Sequence, residues 1–160
     1  MNKGFTLIEM IVAVGIFAIT MVVCLAAFVN INDFQKKAES LREINDNLNF
    51  SLETMMREIR SGSSYSPTGC NGSLSIKDVA GNTIAYRLNS GRIEKSVSGG
   101  PYIALTGPEV SVTNLNFCVT SGINVQPMVT IMISGSAGPT SKTTITLNLQ
   151  TTISQRKMGS

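Results

Sequence analysis

Near the N-terminus stands Lys3-Gly4-Phe5-Thr6-Leu7-Ile8-Glu9, and an apolar run from Met10 to Ile31 follows it directly. The run is 22 residues long and contains no proline and no charged residue. As an α-helix it would be about 33 Å long, enough for a hydrocarbon core of about 30 Å. The pattern predicts a membrane-spanning helix that is preceded by a short basic head, a glycine and a lone acid.

This order of residues resembles the class III leader of type IV prepilins and of the pseudopilins of type II secretion. In that family a membrane aspartyl peptidase cuts after the glycine, here Gly4, and methylates the new N-terminus, here Phe5. The resemblance implies a leader peptide over residues 1–4 and a transmembrane half of the helix over residues 5–31. It also implies a role in filament assembly for Glu9, which would pair with the new amine of Phe5 in a neighbouring subunit.

Two other interpretations account for part of this segment. A secretory signal peptide has a shorter apolar core, of about 7–15 residues, and the stretch 22–27 is a poor small-x-small cleavage site. An ordinary membrane anchor would explain the apolar run but not the Gly4-Phe5 junction. Glu9 could equally be a carboxylate at the membrane interface without a role, since an acid near a helix end costs less than the roughly 2.5–3.5 kcal/mol at the centre.

The composition limits the chain to one membrane helix and one modest domain, with 160 residues, a net charge of +3 and no histidine. The lack of histidine excludes histidine-based triads and histidine-ligated metal sites. The sequence also contains no nucleophile-and-base set, no phosphate-binding loop and no acidic cluster. We therefore predict a protein that is not an enzyme, with no catalytic residues, no metal site and no cofactor.

Three cysteines lie far apart in the sequence, at positions 24, 70 and 118. Cys24 falls in the predicted span and is expected to pack as a small apolar residue. Cys70 and Cys118 would both lie beyond the membrane, where disulfides persist. A bond between them would close a loop worth about 4 kcal/mol in the chain-entropy model. The alternative is two unpaired thiols, and the family lends this pairing little support because pilin disulfides commonly bound a loop nearer the C-terminus.

The helix is predicted to continue beyond the membrane, from about residue 5 to about residue 60, over roughly 84 Å. Residues 32–60 form its amphipathic half. Apolar residues recur there every three or four positions and therefore lie in one stripe along the helix surface. The stripe consists of Phe34, Ala38, Leu41, Ile44, Leu48, Leu52, Met55 and Ile59. We predict that it packs on a sheet, although a coiled coil would show the same periodicity.

Residues 61–160 are predicted to form an antiparallel β head. The segment 61–73 has the composition of a loop, and the apolar period then changes to two. The last six residues, 155–160, are predicted to be a frayed tail. The fold class is thus α+β, with a long N-terminal helix, membrane-spanning in its first half, packed on an antiparallel β-sheet, as in pilins.

Residues 48–60 resemble the helix end of minor pilins and of J-type minor pseudopilins. The resemblance implies a minor structural subunit of a type IV pilus (a fimbrium) or of a type II secretion pseudopilus. Such a subunit is located in the bacterial inner membrane, single-pass with its head outside the cytoplasm, and then in the filament. The implied partners are other pilin or pseudopilin subunits, the prepilin peptidase and the inner-membrane assembly platform.

A different class of function also fits the sequence, namely a membrane-anchored β domain that binds DNA, a secreted substrate or a surface. Residues 61–160 contain seven Lys or Arg residues against three acids. This excess is spread thinly over the head, so we do not expect nucleic acid to be a partner.

Overall fold

The fold is built around one long helix. The computed structural model describes residues 4–122 and 125–156, and its helix α1 spans Leu7–Ser61 over 55 residues. Thr6 before the helix and Gly62 after it both have extended backbones. The predicted helix is therefore confirmed, and both of its ends fall within two residues of the prediction.

The helix ends where the chain passes close to the sheet. A Cβ atom at Gly62 would lie 2.9 Å from the carbonyl oxygen of Glu58 and 3.1 Å from that of Lys77, so glycine is needed for space. The N–H of Gly62 donates to the carbonyl of Ile59 at 3.3 Å, and the Tyr65 hydroxyl donates to the same carbonyl at 2.7 Å. These bonds satisfy a carbonyl that the end of an α-helix leaves without a partner.

The described residues of the head form nine strands in two antiparallel sheets. The strands are β1 Ser63–Ser66, β2 Gly69–Asn71, β3 Ser73–Lys77, β4 Thr83–Asn89, β5 Arg92–Val97, β6 Ile103–Ala104, β7 Val110–Gly122, β8 Val125–Ala137 and β9 Ile145–Ser154. One sheet has the order β1-β3-β4-β5-β6, and the other has the order β2-β7-β8-β9. Helix α1 packs on the second sheet through β7, β8 and β9.

The α+β class, a long helix on antiparallel β structure, is confirmed, but the single predicted sheet is in fact two sheets. After β1 the chain leaves the first sheet, pairs β2 with β7 in the second, and then returns to the first through β3. A period of two shows only that a strand has an inner and an outer face. It carries no information about which strand is the neighbour.

The prediction of a loop over residues 61–73 was wrong, because β1 and β2 both lie in this segment. Both are short edge strands, and no residue of either is fully buried. Edge strands with two exposed faces do not need alternating apolar residues. Their serine- and glycine-rich sequence therefore resembles that of a loop.

The predicted apolar stripe packs on the sheet only in its upper part. Five of its members are buried in the core of the head: Ile44, Leu48, Leu52, Met55 and Ile59. The prediction was wrong for Phe34, Ala38 and Leu41, of which Phe34 is 75% exposed and Leu41 42% exposed. Phe34 and Ala38 lie below the head, since the buried part of the helix begins at Ser40, and Leu41 lies at the lower edge of that part with its side chain exposed.

The predicted frayed tail was wrong for its first two residues. The N–H of Arg156 donates to the carbonyl of Arg60 at 2.8 Å, and the side-chain amide of Gln155 donates to the carbonyl of Gly62 at 2.9 Å. These bonds fix the end of the chain to the end of helix α1. Residues 157–160, the rest of the predicted tail, lie outside the described residues.

Candidate processing and assembly site

The N-terminal segment before the helix is open to solvent. Gly4, Phe5 and Thr6 lie outside regular secondary structure, and the Phe5 side chain is 78% exposed. No atom of the described residues, apart from its chain neighbours, lies within 4 Å of the place where a Cβ on Gly4 would stand. The junction between Gly4 and Phe5 is therefore outside the helix and accessible.

Glu9 belongs to a capping box at the start of helix α1. The N–H of Glu9 donates to the Thr6 hydroxyl at 3.4 Å, and the N–H of Thr6 donates to the Glu9 carboxylate at 3.5 Å. The two side chains thus satisfy backbone donors that the first turn of a helix leaves free. The sequence analysis missed Thr6, although the Thr-x-x-Glu spacing before an apolar run is the known signature of this motif.

The lower helix has no packing partner among the residues that the structure describes. Residues 5–39 are all exposed, and the most apolar 18-residue window of α1 has a mean hydropathy of 2.8 with none of it buried. By length and composition the helix can cross a membrane. Apolar surface of this extent is stable only in lipid or against other helices.

The sequence was compared with models of known protein families. One match covers the segment that contains the exposed Gly4-Phe5 junction, Glu9 and the start of the exposed helix. The model of the prokaryotic N-terminal methylation motif matches residues 1–25. The N-terminus is a class III prepilin leader. The predicted resemblance is therefore confirmed for the leader and for the start of the apolar helix.

The prepilin leader supports a type IV pilin or a pseudopilin, and with the apolar helix it fits a membrane-anchored protein of this class. Pilin-type proteins assemble with other pilin subunits and are structural. No curated protein and no solved structure matched the chain. The matched segment ends at residue 25, within helix α1, so the comparison describes the N-terminus and not the β head.

The two cysteines of the head lie directly opposite each other on neighbouring strands. Cys70 of β2 pairs with Cys118 of β7 in the sheet register, and the structure joins them by a disulfide with a sequence separation of 48. The bond holds the three-residue β2 strand on the second sheet. Cys24 is a free, exposed thiol on the apolar helix.

We predict that the thiols of Cys70 and Cys118 resist alkylation in the folded native protein until a reductant is added. Reduction should then lower the free energy of unfolding by roughly 2–4 kcal/mol, because the unfolded chain regains a long loop. Alkylation before and after reduction, followed by peptide mass spectrometry, measures the first effect. Cys24 is the internal control, since it should be alkylated in detergent in both states. Labelling of both head cysteines without reductant would contradict the disulfide.

A polar cluster joins helix α1 to the first sheet. The Glu58 carboxylate accepts hydrogen bonds from the Tyr86 hydroxyl of β4 and from the Lys95 ammonium of β5. Burial raises the pKa of the Tyr86 hydroxyl well above its usual range, and the neighbouring Glu58 carboxylate raises it further. The phenol therefore stays protonated and donates to Glu58. This cluster fixes how the first sheet sits on the helix.

Proposed function

We propose that the protein is a minor structural subunit of a type IV pilus or of a type II secretion pseudopilus. In this proposal prepilin peptidase cuts between Gly4 and Phe5, and the protein then assembles through its N-terminal helix. The single observation that carries the proposal is the prepilin leader in front of a helix whose lower half is bare and whose upper half carries a β head. The protein has a structural function and no enzymatic one.

The proposed processing follows from the backbone at the junction. A peptidase binds a substrate segment outside regular secondary structure, and residues 4–6 are non-helical and exposed ahead of the first helical turn. Glycine at position 4 leaves room for the peptidase at the cleaved bond. Cleavage would convert the amide nitrogen of Phe5 into a free amine four residues before Glu9. Methylation of that amine completes the processing.

Before assembly, residues 5–31 would span the inner membrane and the head would lie outside the cytoplasm. A compartment of that kind favours disulfides, which agrees with the bond between Cys70 and Cys118. Assembly would move the apolar helix from lipid into a bundle of helices from neighbouring subunits. The inner-membrane assembly platform is the proposed partner for this step.

Glu9 would set the axial position of the helix in the bundle. An ionised carboxylate in an apolar bundle needs a positive partner, and the Phe5 amine of a neighbouring subunit supplies one. In the isolated chain the carboxylate is used by the capping box with Thr6. A Thr6 hydroxyl can keep its bond to the N–H of Glu9 while the carboxylate turns to a new partner.

The mature protein is expected to begin at Phe5 with a methylated amine when a prepilin peptidase is present. Replacement of Gly4 by valine should block cleavage, because a branched side chain crowds the cleaved bond, and the protein should keep its Met1 start. Gly15→Ala is the matched control, since Gly15 also has open space around it but lies inside the helix. Intact mass spectrometry of the membrane fraction measures the N-terminus. An uncleaved wild-type chain in such a host would overturn the proposed processing.

A further inference from the structure

A basic groove lies at the top of the head, beside the end of helix α1. Its volume is about 450 Å³, and its wall contains three arginines and one acid: Arg57, Arg60, Arg156 and Glu53. All three arginine side chains are exposed. Within residues 4–122 and 125–156, none of them forms an ion pair with a carboxylate. The groove therefore presents guanidinium groups that can bind an anionic partner bidentately.

An acidic groove of similar size lies at the base of the same head. Its volume is about 340 Å³, and its charged wall residues are three acids and one lysine: Glu39, Glu43, Glu109 and Lys36. Glu39 and Glu109 are exposed and Glu43 is half-buried. The two grooves thus have opposite charge in the same three-to-one ratio.

The two grooves lie to either side of the buried stripe on helix α1 and at different heights. An α-helix turns by about 100° per residue, so the five helix residues of the basic groove centre roughly 150° to one side of the buried stripe. Those of the acidic groove centre roughly 130° to the other side, so both directions point away from the stripe and lie about 80° apart around the helix. Their mean positions in the sequence differ by about 18 residues, or about 27 Å along the helix axis.

We infer that the basic groove is a lateral docking site for the acidic groove of a second copy of this chain. The inference rests on the proposed function as a filament subunit and adds the surface through which two heads meet. One copy would stand beside the other, displaced by about 27 Å along the helix axis. In a filament of other subunits, this contact would place copies of the minor subunit in short consecutive runs.

The arginines of the basic groove are too far from the acidic groove of the same chain to pair with it. They are also too far from the membrane to bind lipid headgroups. In one straight helix Arg60 and Glu39 are 21 residues, or about 30 Å, apart, which is beyond the reach of both side chains. Arg57 lies about 40 Å beyond the end of the span at Ile31. The potential of an anionic membrane surface falls off within a Debye length of about 8–10 Å.

Because of its geometry, the contact can repeat from one copy to the next. Each copy offers a basic groove and an acidic groove at different positions on its surface, so the contact joins two different surfaces. A heterologous contact of this kind repeats without closing unless its rotation forms a ring. Charge pairs at a solvent-exposed rim chiefly set register and partner choice. The docking surface therefore fixes the axial stagger of two heads, while the apolar helices supply most of the stability.

A zero-length cross-link in the full-length protein tests the contact directly. Carbodiimide joins an amine to a carboxylate, so the variant Arg60→Lys keeps the charge and adds a reactive amine to the basic groove. We expect a cross-linked peptide between residue 60 and Glu39 or Glu43, found by mass spectrometry of membrane and sheared-filament fractions. Because these positions are about 25–30 Å apart in one helix, such a peptide can arise only between two copies. The double variant Glu39→Gln, Glu43→Gln in the same background should lose it.

Charge reversal provides the second arm of the test. Arg57→Glu with Arg60→Glu should lower the yield of cross-linked dimer from native lysines by about tenfold, and added Glu39→Arg with Glu43→Arg should restore it. Arg92→Glu is the control, since Arg92 is equally exposed on β5, away from both grooves. Loss of leader cleavage in any variant would instead indicate a misfolded chain, and a conservative pair, Arg57→Lys with Arg60→Lys, should then retain the dimer.

The results of these experiments distinguish a failure of the docking site from a failure of the proposed filament function. If the chain is recovered in filaments and the peptide joining residue 60 to Glu39 or Glu43 is missing, the docking site is wrong and the filament subunit stands. If the chain is absent from filaments but the peptide forms in membranes, the filament proposal fails and the docking site stands. If the peptide is missing and the basic groove retains duplex DNA in an Arg57-dependent manner, the groove belongs to nucleic acid and the inference is overturned.

Discussion

Replacement of Glu9 by leucine is expected to remove the protein from sheared filaments while leaving leader cleavage and membrane insertion intact. Insertion should not suffer, because leucine favours the bilayer whereas an acid at the centre costs roughly 2.5–3.5 kcal/mol. Incorporation should fall by about 100-fold or more, because the Phe5 amine of the neighbour would be left as an unpaired charge in an apolar bundle. The measurement compares the amount of mature protein in the membrane and filament fractions of the native host.

Two further variants separate the charge of Glu9 from its part in the capping box. Glutamine at position 9 can still accept the hydrogen bond from the N–H of Thr6, since either Glu or Gln completes such a box. Glu9→Gln should nevertheless fail like Glu9→Leu, because it removes the charge. Thr6→Ala removes the hydroxyl cap and keeps the charge, so it should assemble with a helix start weaker by about 1 kcal/mol.

The opposite pattern would give Glu9 a different role. Normal incorporation of Glu9→Gln together with failure of Thr6→Ala would make the acid a capping residue only. Normal incorporation of Glu9→Leu would leave the protein a membrane-anchored β domain, and the assembly mechanism would have to be abandoned. Both results can be read from the same two fractions, with leader cleavage as the internal control for correct insertion.

The N-terminal half of the molecule could be predicted from the sequence because its signals are local. The apolar run predicted the helix that the structure contains, and the leader pattern around it was confirmed by the family comparison. The capping box formed by Thr6 and Glu9 is also a local signal. It was missed because the sequence analysis treated Glu9 only as a charged residue. Local patterns of this kind need no knowledge of the rest of the chain.

The head could be predicted only in part because its arrangement depends on distant partners. The strands β3, β4 and β5 follow from alternation and from turn residues, but the pairing of β2 with β7 joins residues 69–71 to residues 117–119. Val97 continued the apolar alternation of β5 and is nevertheless 45% exposed, because the neighbouring β6 strand has only two residues and leaves that end of the sheet uncovered. No pattern within β5 shows how long its neighbour is.

The same limit explains why the stripe on helix α1 was predicted too long. Phe34 and Leu48 occupy equivalent positions of one helical face, yet only Leu48 is buried. The difference lies in where the head begins along the helix, which the helix sequence does not contain. Periodicity therefore predicts the direction of an apolar face, and the position of the sheet decides which of its residues are covered.

Leu48→Ala is expected to lower the free energy of unfolding of the head by about 2–5 kcal/mol. Leu48 is fully buried, and its methyl groups lie 3.5 and 3.7 Å from the place where a Cβ on Gly135 of β8 would stand. Leu48 thus packs against β8 at Gly135, and alanine at position 48 would leave a cavity there. For a head whose total stability is about 5–15 kcal/mol, this is a large fraction.

Phe50→Ala is the matched control, because it removes a larger side chain from the opposite face of the same helix turn. Phe50 is 60% exposed, so the change should stay within about 0.5 kcal/mol. Pulse proteolysis of the full-length, oxidised protein in detergent, along a urea series, measures both variants. The midpoint should fall by about 1–2 M for Leu48→Ala and stay nearly constant for Phe50→Ala.

The dependence on protein concentration distinguishes the sheet from a coiled coil as the partner of the stripe. If Leu48 packs on the sheet of its own head, the urea midpoints of the wild type and of Leu48→Ala should not change with protein concentration. If the stripe instead packed on a second helix, the wild-type midpoint would rise with concentration by mass action, and the loss in Leu48→Ala would vary with it. An equal loss for Phe50→Ala would contradict the assignment of the buried face, since cavity formation requires a side chain that is enclosed on every side.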